Sequence, residues 1–124
     1  MNIAAFNADL ELFAKAAGIE LEQAVRTIAI DAHNRVTTKT PVRTGRARGN
    51  WNVKAGSPDL TINESVAGSQ TPSLKKGDGN GPIYITNSLP YIQKLEDGHS
   101  KQAPAGMVLT TIAELDAGIS NVIR

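Results

Sequence analysis

Residues 83–108 read IYITNSLPYIQKLEDGHSKQAPAGMV, and this order of parts decides the fold. Ile83 and Ile85 alternate with polar neighbours, the signature of a short half-buried strand. Leu89-Pro90-Tyr91 starts a helical turn, because proline tolerates the first turn of a helix, where its missing N–H is no loss. Tyr91, Ile92 and Leu95 give that turn an apolar side, and Gly98 ends it. Residues 100–103 read as an exposed connector. Pro104 is expected to start a second helix, with Val108, Ile112, Leu115, Ile119 and Val122 stepping by 4, 3, 4 and 3 along one face. Gly106 and Gly118 weaken that helix by up to about 1 kcal/mol each relative to alanine, so packing must support it.

Working outward, residues 40–51 read TPVRTGRARGNW and join a long helix to a strand. Upstream, Phe6, Leu10, Phe13 and Ala17 mark one helix face, with Asn7 as its expected cap and Gly18 as its stop. Ile19 then folds back as the hydrophobic contact of that stop. Leu21, Val25, Ile28, Ala32 and Val36 mark a second helix of roughly 20 residues, about 30 Å long, which Pro41 should end near Thr40. Pro41 and Gly45 make the joint a turn. Trp51, Val53 and Ala55 then share one face of a strand, with Trp51, the sole tryptophan, as its core anchor. Residues 60–66 suit a further strand. Gly, Ser and Pro crowd the span 56–82, and 69–82 reads as a flexible loop. The order helix, helix, strand, strand, strand, helix, helix predicts an α+β fold: a small antiparallel sheet packed against a long N-terminal helix and a C-terminal helix. By size, residues 1–124 form one domain.

Aromatics make up only 4% of the chain, so Leu, Ile, Val and Ala must build the core. The absence of cysteine removes disulfide frameworks, thiolate metal sites and thiol nucleophiles. No run of about 18 apolar residues marks a membrane span. The two histidines, His33 and His99, have no ligand partner at helical spacing. A Ser100–His99 pair lacks a third orienting group, and neighbours in sequence seldom point at each other. The run GDGNGP at 77–82 ends in proline and leads into a strand, unlike a phosphate-binding loop. A hydrolase has no constellation to rest on, and no cofactor is expected.

Charge is unevenly placed. Residues 26–54 carry a net +6 and the remainder −5, for a total of +1. This asymmetry suits head-to-tail contact between copies or contact with DNA phosphate. Glu96 and Asp97, diverging by about 100° on a helix, are poor acid–base partners. They read as a solvated helix end or as a charge contact for Arg46 or Arg48 of a neighbouring copy.

Together, TPVRTGRARGNW, IYITNSLPY and LEDGHSKQAPAGMV resemble the tail-completion, or head–tail joining, proteins of long-tailed bacteriophages, including the minor tail protein Z type. The resemblance spans most of the chain and is weakest at 54–82. It implies a structural virion protein of the phage neck, not an enzyme, assembled in the host cytoplasm. It implies a ring of several copies, six by that resemblance, between the tail tube or tail terminator and the head connector or stopper, with DNA passing through and no membrane. From exposure and charge, the expected partner-binding residues are Arg43, Arg46, Arg48, Lys75, Lys76, Glu96, Asp97, His99 and Lys101. The alternative is a nucleic-acid-binding module using the basic segment 26–54.

Overall fold

The computed structural model describes residues 3–42, 45–64, 70–98, 100–103 and 105–123. Two helices, α1 (Ile3–Ala17) and α2 (Leu21–Lys39), are followed by β1 (Asn52–Ala55), β2 (Ile83–Thr86), a short α3 (Ile92–Glu96) and α4 (Val108–Ile123). Short 3-10 turns occupy Arg48–Asn50 and Asp78–Asn80. The fold is α+β. The strands pair antiparallel, with Asn52 opposite Thr86 and Ala55 opposite Ile83.

The stop of α1 forms as expected. Gly18 adopts φ +71°, its N–H reaches Lys15 O, and Ile19 N–H reaches Ala14 O at 3.0 Å. That bond pair is a Schellman closure, which needs a left-handed residue at the position of Gly18. The start differs from expectation: α1 begins at Ile3, so Asn7 lies inside the helix, where the helix-favouring run Ile3-Ala4-Ala5-Phe6 extends it backwards. The Phe6 side chain lies outside the described residues. Thr40 ends α2 in extended backbone ahead of Pro41.

The core face of α2 is rotated from the apolar series. Ala24, Ala29, His33, Val36 and Thr37 are buried, while Leu21 is exposed. Small residues win these places because they let α1 and α4 approach closely. His33 and Thr40 win theirs by bonding Trp51. The Trp51 indole N–H donates to Thr40 Oγ1 at 2.7 Å, and that hydroxyl donates to Val36 O at 2.5 Å. His33 Nε2 donates to the Trp51 carbonyl at 3.0 Å. Trp51, 5% exposed, shares a core with Val36, Ala103 and Met107, against which Ile85, Ile92 and Leu95 pack. Leu10, Ala14, Leu115 and Ile119 are buried on the other side, where α1, α2 and α4 meet.

Residues 60–64 do not form the expected strand; 65 and 66 lie outside the described residues. Side-chain amides take over the work of a ladder. Asn50 accepts from Asn63 N–H at 2.7 Å and donates back to its carbonyl at 3.1 Å. Asn52 Nδ2 donates to the carbonyls of Asp59 and Thr61, and the Thr86 hydroxyl also donates to Asp59 O. The segment is thereby laid beside the sheet without joining it, with its side chains left exposed.

Helix α4 starts at Val108, four residues later than Pro104, which lies outside the described residues. Its start is set by Glu96. Glu96 Oε1 accepts from the N–H groups of Met107 (2.9 Å) and Val108 (2.8 Å), and Oε2 from Leu109 (3.2 Å). These amides have no partner inside the helix, and a carboxylate is favoured at the positive end of its dipole. Gly106 is required here twice over. Its φ is +81°, and a Cβ would lie 2.8 Å from Glu96 Oε2 and closer still to Glu96 O. The cap and the buried Met107 fix the rotation of α4, so its inner face is Met107, Thr111, Leu115 and Ile119. Val108 and Ile112 remain exposed, and the Val122 side chain lies outside the described residues.

Two substitutions probe these anchors. Trp51→Ala should cost about 3–5 kcal/mol, whereas Trp51→Phe, which keeps most of the apolar volume and loses the indole bond, should cost less, near 1–3 kcal/mol. Chemical denaturation compares the two. A Trp51→Phe variant as stable as wild type would mean that the Thr40 bond adds nothing. Glu96→Ala should lower stability by about 1–2 kcal/mol, with the loss shown as faster amide exchange at Val108 and Leu109.

Candidate partner-binding cleft

The turn that follows α2 folds back over its end. Arg48 directs its guanidinium onto the last carbonyls of α2, donating to Thr38 O at 3.0 Å and Thr40 O at 3.1 Å. A cation at the negative end of a helix dipole is favourable and satisfies carbonyls that lack helical partners. Asn87, from the end of β2, donates to Ala47 O at 2.9 Å. Gln102, from the connector before α4, accepts from Val42 N–H at 3.0 Å and donates to Val42 O at 3.5 Å. The two sequence stretches that decide the fold are therefore bonded to each other.

Between them lies an open cleft of about 940 Å³. Pro41 and Val42 form one wall, Tyr91 and Leu95 of α3 another, and Lys101 and Gln102 a third, with Arg46 at the base of the joint. The Arg46 guanidinium lies 5.9 Å from the Tyr91 ring centroid and donates to Glu64 Oε1 at 2.6 Å. The Glu64 carboxylate holds the Arg46 pKa above its ordinary value. Among the described residues, both charged residues lining the cleft, Arg46 and Lys101, are basic. Apolar walls with a few placed polar groups are the usual make-up of a recognition surface.

The expected site residues separate into groups. Arg46 and Lys101 meet on the cleft. Arg48 serves the end of α2, and Glu96 is a correction to the expected intersubunit contact: its carboxylate is occupied by the amides of α4 in its own chain. Asp97 stays exposed and accepts from Gln93 Nε2 at 3.1 Å. Lys75 and Lys76 are exposed on the 70–82 segment and do not line the cleft. Arg43 and His99 lie outside the described residues. Gln102, the bridge of the cleft, falls in the exposed stretch 98–102 expected from the sequence to make contacts; Tyr91, its ring face, was not singled out as partner-binding, and only its position inside a dense motif pointed to it.

The 70–82 segment has polar anchors that its composition did not reveal. Gln70 Nε2 donates to Gly49 O and Asn52 Oδ1. Gly79 N–H donates to Glu22 Oε2 at 2.9 Å, and a Cβ on Gly79 would collide with the Glu22 carbonyl. That amide, in the glycine-rich run 77–82, is thus taken by a carboxylate of α2. Glu22 is also bonded by Arg26 at 2.6 Å. Its carboxyl is held down from the ordinary 4.5 to about 2, chiefly by the Arg26 bond, with the amides of Gly79 and Gly77 adding to it against partial burial.

The basic segment 26–54 is largely neutralised at short range. Arg26 pairs with Glu22, Arg35 with Asp31 and Glu114, Lys39 with Glu114, and Arg46 with Glu64. Among the described residues no cluster of three or more His, Cys, Asp or Glu suits a metal ion, and no helix is long and apolar enough to cross a membrane. Compared with known proteins, the chain matches no family model, no curated protein and no solved structure.

The Glu22 anchor carries a signed pH dependence. A folded-state pKa below the unfolded one stabilises above the unfolded pKa, and the benefit disappears as pH falls through the folded value. Wild type should therefore lose its stability advantage over Glu22→Gln as pH drops from the ordinary carboxylate range towards 2. Paired thermal melts across that range measure it. A constant difference would show that Glu22 acts without its charge.

Proposed function

We propose that the chain is a structural adaptor that completes the tail of a long-tailed bacteriophage and joins it to the head connector, working as a ring in the neck of the virion. The observation that carries this reading is that the two motif stretches on which the family resemblance rests form one bonded unit. They are tied through Asn87–Ala47 and Gln102–Val42 and through the shared core of Trp51, Ala103 and Met107. Between them they build the cleft, whose apolar walls and basic lining suit docking onto protein. The tail tube or terminator on one side and the connector or stopper on the other are the partners in this reading. Its action is assembly, and no bond is made or broken.

The nucleic-acid alternative draws on the same basic segment. Tight, salt-sensitive binding needs cations that replace counterions along the phosphates. Arg26, Arg35, Lys39 and Arg46 are each engaged by a carboxylate of their own chain, so no observation favours that reading over the adaptor.

The role is tested by loss and restoration. In the phage or prophage that encodes the chain, its removal should leave filled heads and finished tails as separate particles in lysates. Purified chain added to such a lysate should restore joined particles. Joined virions at the normal level without the chain would overturn the adaptor reading.

A further inference from the structure

A second surface is left uncovered by the fold. On α4, Leu109 is 69% and Ile112 40% exposed. Asp116 follows at i+7 from Leu109 and i+4 from Ile112, so the three fall in one stripe along the helix. Val108 lies beside its start and is also exposed. Among the described residues Asp116 has no ion pair, unlike Glu114 on the same helix, which holds Arg35 and Lys39. The residues of α4, VLTTIAELDAGISNVI, include two acids and no base. Exposed apolar side chains grouped in this way mark contact surfaces more often than chance scatter does.

The cleft is the complement of this stripe in both shape and charge. It is concave and apolar along Pro41, Val42, Tyr91 and Leu95, its charged lining is wholly basic, and Lys101 on its rim is exposed and has no ion pair among the described residues. Val42, 44% exposed, offers apolar surface. The stripe is convex and apolar and ends in a carboxylate. None of the stripe residues lines the cleft, so the two surfaces are separate parts of one chain.

We infer that the cleft of one copy receives the Leu109–Ile112–Asp116 stripe of a second copy, with Asp116 meeting Lys101. The inference deepens the adaptor reading and rests on it for the cleft being a docking surface. Each copy offers a cleft and a stripe: the two pair reciprocally in a two-fold dimer where both reach the same neighbour, and otherwise the contact closes into a ring or runs on as a filament.

The test uses the purified full-length chain, with association followed by light scattering and sedimentation over a concentration series. Wild type should associate as its concentration rises. Lys101→Glu and Asp116→Lys place like charges at the contact and should each weaken association by roughly tenfold or more, since like-charge juxtaposition costs several kcal/mol. Mixed one to one, the two variants should associate again. In the mixture, Lys101 of one variant meets Asp116 of the other, and the reversed pair Glu–Lys forms at the next contact. Leu109→Gln, at an exposed position, should weaken association without touching a charge, and circular dichroism checks that each variant is folded. A wild-type chain that remains monomeric at its highest soluble concentration overturns the inference. So do single variants that associate like wild type, or a mixture that fails to recover. Restoration of head–tail joining by a chain that never self-associates would remove this inference and leave the adaptor role standing. Association by a chain that cannot restore joining would do the reverse.

Discussion

The rest of the structure depends on the hold that α2 keeps on Trp51. A tryptophan buried beside a helix must find a partner for its indole N–H, or the burial costs more than it gains. Thr40 supplies that partner at the one place where it can also end the helix, because its hydroxyl passes the bond on to Val36 O. His33 takes the Trp51 carbonyl two turns earlier. With both ends of the residue fixed, β1 leaves α2 in a set direction and carries β2 with it through the ladder. The cleft follows from this, since its walls are the turn before Trp51 and the helix after β2.

Charged side chains do structural work at helix ends. Arg48 closes the C-terminal end of α2 and Glu96 opens α4. Each is a charge placed against the opposite end of a helix dipole, where free backbone groups also need a partner. A carboxylate four residues after Ile92 and a guanidinium ten residues after Thr38 have no fixed sequence relation to the ends they serve. This is why both read from the sequence as solvated charges free for a neighbour. The tertiary approach of α3 to α4, with Gly106 leaving room for Glu96, supplies the information that the sequence lacks.

The helices, their stops at Gly18 and Thr40, the strands at 52–55 and 83–86 and the α+β class were legible, because period, glycine and proline are local signals. The inner faces of α2 and α4 were not. Apolar spacing names a stripe, but the side turned inward is chosen by hydrogen bonds made across long sequence distances, from His33 to Trp51 and from Glu96 to Met107. Residues 60–64 have the composition of a strand, yet the Asn50 and Asn52 amides occupy the bonds a third strand would have made. Of the site, the joint and the connector were legible as dense motifs, and Lys101 and Arg46 with them. That they meet over one cleft depended on Gln102 bridging to Val42, a contact across 60 positions.

The division between the two kinds of cation bears on how the molecule can recognise a partner. Every described arginine, Arg26, Arg35, Arg46 and Arg48, is engaged by a carboxylate or by helix carbonyls within the chain. Of the described lysines, only Lys39 has an ion pair. Arginine's planar fork holds two acceptors in fixed geometry, so it suits internal joints, while lysine is a strongly hydrated point charge on a flexible stem. Among the described residues the positive charge left for an approaching surface is therefore lysine charge, at Lys15 on α1, Lys54 on β1, Lys75 and Lys76 on the 70–82 segment, Lys94 on α3 and Lys101 at the cleft. Such charges steer an encounter and set its register more than they add to its strength. The strength must come from apolar area, and beside Lys101 the cleft walls offer it at Val42, Tyr91 and Leu95. A docking partner with an apolar ridge that ends in an acid meets both conditions at once.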